Sequence, residues 1–214
     1  MRQYLSAIFD SVILKDIIER NKVRDVDLLR RLIMFLLANT GQTFSSASLT
    51  RYLKNEKRSI STETIYNYVE YCTSACLLHL VSREELLGKE ILATHEKIFL
   101  VDHGLREIIY GNNLRDINQI LENIIYMELL RRGYDVTVGR IRDLEIDFCA
   151  KKGADCIYIQ VTYLLSEPET VKREFDALSR INDNFPKYVL SMDDIDMSQQ
   201  GIIHMNIRDF LLNE

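Results

Sequence analysis

Leu144-Glu145-Ile146-Asp147-Phe148 and Ile157-Tyr158-Ile159-Gln160-Val161-Thr162 are the two stretches whose reading decides how this chain folds. In the first, Leu144, Ile146 and Phe148 alternate with Glu145 and Asp147, the period-two pattern of a half-buried strand with both acids on one side. The second alternates Ile157, Ile159 and Val161 with Tyr158, Gln160 and Thr162. Lys151-Lys152-Gly153-Ala154-Asp155 reads as the turn between them, so the strands are expected to pair as a hairpin. That pairing would set Asp147 beside Gln160.

Working outward, Asp116 to Arg132 reads as one long helix that carries Glu122 and ends at Gly133, and Tyr134 to Arg140 as a strand. Downstream, Ser166-Glu167-Pro168-Glu169 has the form of a capping box, with Glu169 three residues after the Ser166 cap, before a helix ending near Ile181. Pro186 precedes a strand from Lys187 to Met192, Ile202 to Met205 is a last short strand, and Ile207 to Leu212 a closing helix. An acid on a helix, an Asp on a hairpin and then Gln-x-Thr on a strand resemble the restriction-endonuclease-like, PD-(D/E)xK nuclease core. The resemblance implies catalytic roles for Glu122, Asp147 and Gln160, which would also hold one Mg2+ or Mn2+ ion. Glu145 is a further candidate ligand. Thr162 stands where such a nuclease carries its Lys, and a neutral hydroxyl supplies neither a fixed cation nor a transferable proton at neutral pH. The expectation is the fold without intact catalysis. Lys151 and Lys152, in the turn, are the candidates to replace the missing cation.

The N-terminal half reads differently. Tyr4 to Ile18 spaces Leu5, Ile8, Phe9, Val12, Ile13 and Ile17 as an amphipathic helix, and an apolar face starting so close to Met1 suggests either a piece of something larger or packing on the chain's own neighbouring helices. A polar connector follows to Arg24. Asp25 to Asn39 is a strong helix with acids at its start and Gly41 suited to its left-handed end. Ser45 to Lys54 is a short helix with a Ser cap. After the basic loop Asn55-Glu56-Lys57-Arg58, a third helix opens at Ser61-Thr62 and runs through Cys72 and Cys76 toward Leu78. Three such helices, followed by strands at Leu78 to Ser82 and Glu96 to Val101 with Arg83 to Thr94 between, form a winged-helix pattern. In that pattern Thr62, Thr64, Tyr66 and Asn67 approach a major groove while Arg51, Lys54, Lys57 and Arg58 face phosphates. The fold expected is thus α+β, with a leading helix and connector in residues 1–24, a winged-helix domain in 25–113 and an α/β restriction-endonuclease-like domain with a mixed central sheet in 114–214.

Charge follows this division. Residues 1–113 hold 15 Lys and Arg against 14 Asp and Glu, and residues 114–214 hold 12 against 18, so a phosphate-facing surface belongs in the first half. No apolar run is long enough to span a bilayer and no signal peptide is legible, so the expectation is a cytoplasmic protein with no membrane partner. The four cysteines, Cys72, Cys76, Cys149 and Cys156, form no CxxC pair, and Cys72 and Cys76, four apart in a helical pattern, read as buried apolar residues. His79, His95, His103 and His204 are scattered, and Asp193-Asp194-Ile195-Asp196 lacks the Gly and distal Glu of a calcium loop, reading instead as a solvated turn with helix-capping acids.

A more specific likeness covers nearly the whole chain. Lys97-Ile98-Phe99-Leu100-Val101-Asp102-His103-Gly104-Leu105-Arg106, then Leu121-Glu122-Asn123-Ile124-Ile125-Tyr126-Met127-Glu128-Leu129-Leu130-Arg131-Arg132-Gly133-Tyr134, then Glu145-Ile146-Asp147-Phe148 and Tyr158-Ile159-Gln160-Val161-Thr162-Tyr163 look like the domain of unknown function that follows the ATPase module in predicted prokaryotic AAA-type ATPases. That family resembles a winged helix followed by a nuclease-like fold. No GxxxxGK[ST] loop is present, so no bound nucleotide is expected. Three functions stay open: an accessory region contacting DNA or a protein partner beside an inactive nuclease-like domain, a metal-dependent nuclease, and a protein-interaction module whose partner is the ATPase domain.

Overall fold

A computed structural model describes residues 2–55, 60–86, 90–111 and 116–213. Two compact units emerge, one of Met1–Leu80 with Lys97–Leu114, the other of Val81–Glu96 with Arg115–Glu214. The chain is mixed α+β.

The first unit is mainly helical: α1 (Arg2–Ser11), continued by a π-helical segment (Val12–Glu19), then α2 (Val26–Ala38), α3 (Ser46–Asn55), α4 (Thr62–Ser74) and α5 (His103–Tyr110). Each helix of the central trio starts where a short polar side chain accepts an orphan backbone N–H. Asp25 accepts from Leu28 at 3.0 Å, Ser45 from Ser48 at 3.2 Å, and Ser61 from Thr64 at 3.1 Å. Leu29, Leu32, Ile33, Leu36 and Leu37 of α2 form the buried stripe around which Leu49, Leu53, Ile65, Val69 and Cys72 pack. The third helix stops four residues short of the expected end. Leu77 N–H reaches Cys72 O and Cys76 N–H reaches Thr73 O, both at 3.0 Å, with Cys76 left-handed at φ 53°. This is the glycine-type helix stop with a Cys in the glycine's place. Cys76 is accordingly exposed, not the buried apolar residue that helical spacing implied.

The second unit is built on a seven-stranded mixed sheet of order β2-β1-β3-β4-β5-β6-β7. The strands are β1 (Leu78–Glu85), β2 (Glu90–Leu100), β3 (Asp135–Ile141), β4 (Leu144–Lys152), β5 (Asp155–Val161), β6 (Lys187–Ser191) and β7 (Ile203–Asn206). Helices α6 (Ile117–Arg131), α7 (Pro168–Ser179) and α8 (Ile207–Leu212) complete it. β3, β4 and β5 pair antiparallel, while β1 on β3, β6 on β5 and β7 on β6 are parallel.

Four expectations change here. Arg83 to Thr94 read as a connection between short strands, yet β1 runs to Glu85 and pairs with β3, and β2 begins at Glu90. Charged residues can enter the sheet because the fold supplies partners. Glu84 is buried but receives Lys151 Nζ at 2.5 and 2.7 Å and Thr137 Oγ1 at 3.1 Å, and Arg83 donates to Glu145 at 2.6 Å. β4, in turn, is buried on both faces from Ile146 to Ala150 instead of half-buried. Tyr126 of α6 stacks on Phe148 at 6.2 Å, covering one face, and α7 reaches Gln160 on the other. A central strand roofed on both sides has no solvent face. The capping box before α7 also fails to form. Glu167 is the capping position, without a side-chain bond, and Pro168 opens the helix where its missing N–H goes unused. The acids from Asp193 to Asp196 cap no helix: Asp193 accepts from Leu165 N–H at 2.7 Å and Asp196 from Ser198 N–H at 2.8 Å, tying down their own loop.

Gly139 of β3 lies opposite Ile146, where a Cβ would stand 2.9 Å from Ile146 Cβ and 3.2 Å from Leu86 Cδ1. Gly139→Ala is therefore expected to destabilise this unit by about 1–3 kcal/mol through overpacking. A chemical-denaturation midpoint that does not move would show that the adjacent irregularity between Thr137 and Gly139 absorbs the methyl. Among the described residues, no helix is long and apolar enough to cross a membrane.

Candidate functional site

A cleft of about 290 Å³ opens over the ends of β4 and β5, lined among others by Glu122, Asp143, Glu145, Asp147, Gln160, Thr162 and Glu174. The register Phe148↔Ile159 sets Asp147 directly across from Gln160, as the hairpin reading expected. Both are buried. The pair is locked by reciprocal bonds: Gln160 Oε1 accepts from the Asp147 backbone N–H at 2.6 Å, and Asp147 Oδ2 accepts from Val161 N–H at 2.8 Å. Glu122 reaches the same cleft from α6. The two acids and the amide expected from the sequence, Glu122, Asp147 and Gln160, are thus gathered at one place.

Beyond them lies a partner that the sequence reading passed over. Gln160 Nε2 donates to Glu174 Oε2 at 3.0 Å, and the other Glu174 oxygen receives Arg173 Nε at 3.0 Å and Nη2 at 2.6 Å. Glu174 is only 4% exposed. Its signal was present in the periodicity, because Val171, Phe175 and Leu178 define the inward stripe of α7 and Glu174 falls within it. A carboxylate in a buried stripe requires a paired donor. Asn118 of α6 supports the rim, its Oδ1 accepting from Tyr163 N–H at 2.8 Å.

The missing cation is not restored from the turn. Lys151 is bound to Glu84, and Lys152 Nζ donates to Arg132 O at 2.9 Å. Thr162, 4% exposed, continues the sheet through its N–H to Leu190 O at 3.0 Å. Arg173, bound to Glu174 at 2.6 Å, has a side chain 67% exposed.

A hard divalent cation takes several oxygen ligands in one shell. The donors have the right chemistry, and several of them already accept from the protein's own donors. The Gln160 oxygen faces a backbone N–H, both Glu174 oxygens accept from cations or amides, and Glu145 is paired with Arg83. Among the described residues no group of three or more His, Cys, Asp or Glu is spaced to hold a metal ion.

The residues expected to face nucleic acid lie in the first unit. Arg51 and Lys54 are exposed on α3, and Thr62, Tyr66 and Asn67 are exposed at the start of α4. Thr64 is half-buried, with its hydroxyl 2.8 Å from Ser61 Oγ, and the Tyr66 ring meets Phe44 edge-on at 6.1 Å. Lys57 and Arg58 lie outside the described residues.

Comparison with known proteins adds the following. The chain is similar to an uncharacterized protein of Haemophilus influenzae, 36% identical over 209 residues, which are 97% of this chain and 52% of that protein. It is also similar to the uncharacterized protein MJ1544 of Methanocaldococcus jannaschii, 28% identical over 186 residues, which are 84% of this chain and 40% of that protein. The chain spans about half the length, or less, of these relatives. No solved structure matches it. Residues 1–118, more than half of the chain, match one family, so this chain belongs to the family described as Domain of unknown function (DUF8612).

Proposed function

We propose that this chain is a non-catalytic accessory region of a larger, AAA-type ATPase, pairing a DNA- or partner-holding winged helix with a restriction-endonuclease-like domain that no longer cleaves. The observation that carries this reading is the closed chain of bonds from Asp147 through Gln160 and Glu174 to Arg173. A nuclease needs its acids turned toward a metal and water, with a cation beside the attacked phosphate. Here Gln160 Oε1 accepts from the Asp147 backbone N–H and Asp147 Oδ2 from the Val161 N–H, and the position where such a nuclease carries its Lys is a buried Thr162. The relatives' greater length supports a module shared with a further domain, and the motif order cited above supports its being an ATPase.

Incubation with supercoiled and single-stranded DNA in Mg2+ or Mn2+ is expected to give no cleavage, with Asp147→Ala indistinguishable from the parent. Nicking that disappears in Asp147→Ala would replace this reading with the nuclease one.

Exposed Arg51 and Lys54 beside the polar start of α4 favour DNA as the first unit's partner. With Arg51, Lys54, Lys57 and Arg58 on phosphates, the log–log salt slope of duplex binding is expected near about −3.6. Replacing Arg51 and Lys54 with Ala should then reduce that slope by about 2. Binding that is absent at low salt would assign this surface to a protein partner.

A further inference from the structure

On the same sheet face as Asp147 and Gln160, but at the hairpin end, two thiols meet. Cys149 of β4 and Cys156 of β5 are diagonal neighbours, their sulfurs 3.8 Å apart, and both are buried and free. Their surroundings differ. Cys149 sits in the sheet interior at 0% exposure, whereas Cys156 forms part of the wall of a cavity of about 470 Å³, together with Lys151, Tyr158, Arg180 and Asp183. Cys156 pairs across from Lys151, one step from the last pair Lys152↔Asp155 before the turn at Gly153. Residues 151–155 at that end are exposed, so a small inward shift of Cys156 strains only a two-residue turn.

We propose that Cys149 and Cys156 are a redox-reactive dithiol, converted to a cross-strand disulfide by a small hydroperoxide that enters this cavity. Contact between two sulfurs, one opening on a cavity and one behind it, is the arrangement of an attacking and a resolving thiol. The steps balance. The Cys156 thiolate attacks one peroxide oxygen, the O–O bond breaks, and the departing hydroxide leaves as water after taking a proton, giving a sulfenic acid. The Cys149 sulfur then attacks the Cys156 sulfur; the S–S bond forms, the S–OH bond breaks, and that hydroxyl leaves with the Cys149 proton as a second water. In sum, two thiols are oxidised and one hydroperoxide is reduced.

The roles follow from position. Cys149 cannot be reached from solvent, so it cannot be the first to meet the oxidant. The hydrogen bond from Cys149 draws the Cys156 thiol down to about 7, against the opposing effect of burial, with Tyr158 and Lys151 adding to it and the Asp183 carboxylate opposing. The same contact and burial push Cys149 well above the usual thiol range, with Glu84 adding and Lys151 opposing. Cys72, buried alone in the first unit, and Cys76, exposed on its own, have no such neighbour among the described residues and serve as internal references.

The test treats the purified chain with hydrogen peroxide, quenches it, alkylates it after unfolding and maps the peptides by mass. Cys149 and Cys156 are expected to leave the alkylated pool together, as one peptide pair lighter by two hydrogens and restored by dithiothreitol, with Cys72 unchanged. In Cys149→Ala, a sulfenic acid on Cys156 is expected to be captured by dimedone. Both thiols remaining alkylatable while exposed Cys76 is oxidised would overturn the proposal. Cys156 passing to sulfinic acid without pairing, or pairing with Cys76, would overturn it equally. The parent chain alone decides the outcome, so a variant that fails to fold does not weaken the test.

Discussion

Gln160→Leu is expected to destabilise the second unit by about 3–5 kcal/mol, because two buried groups lose partners at once. The Leu side chain nearly fills the same volume, so little of the loss is packing. What disappears is the acceptor for the Asp147 backbone N–H and the donor to Glu174 Oε2. The Glu174 side chain is 6% exposed, so water cannot replace that donor, and Arg173 remains on the other oxygen. Urea unfolding should show a lower midpoint with little change in slope. Gln160→Glu separates the two bonds. Its carboxylate can still accept from Asp147 N–H but faces the Glu174 carboxylate, so its loss should be large at neutral pH and shrink as acid protonates the pair. Stability that survives both substitutions would show that Asp147 and Glu174 do not depend on the amide, and the argument for a closed, non-catalytic site would fall with it.

The second large effect is expected at Phe148→Ala, which should destabilise the same unit by about 3–5 kcal/mol by opening a cavity between β4 and α6. Phe148 is fully buried at the centre of the sheet and stacks on Tyr126 at an interplanar angle of 29°. Burial holds the Tyr126 hydroxyl up at about 12, so the ring stays neutral across the accessible pH range and the loss should be independent of pH near neutrality. Calorimetry should show one transition moving down while that of the helical unit stays in place. A shift below about 1 kcal/mol would mean that the cavity collapses, at odds with a strand roofed on both faces.

Several features of this chain were legible because they depend on neighbours in sequence. Asp25 and Ser61 announce their helices through a bond that closes within three residues. Gly133 ends α6 at φ 80° in the same kind of turn that Cys76 makes after α4. The first was visible because glycine favours that backbone region; the second was not, because nothing in a cysteine advertises it. The alternation of the two central strands, with a glycine turn between them, set the register that brings Asp147 to Gln160.

What only the tertiary structure decided concerns residues whose partners lie far along the chain. Arg83 and Glu84 read as loop because their charges find Glu145 and Lys151 more than sixty positions away. Glu174 has its partner in Gln160, fourteen residues earlier in the chain and 3.0 Å away. The same holds for β4, whose acidic face reads as solvated but lies under α7. By itself, the sequence determined most of the helices, though not α5, and the hairpin, its register and the gathering of Glu122, Asp147 and Gln160. Whether those groups stand open to a ligand or are taken up by the protein's own donors depended on desolvation and pairing, which arise only when distant segments exclude water from the same volume.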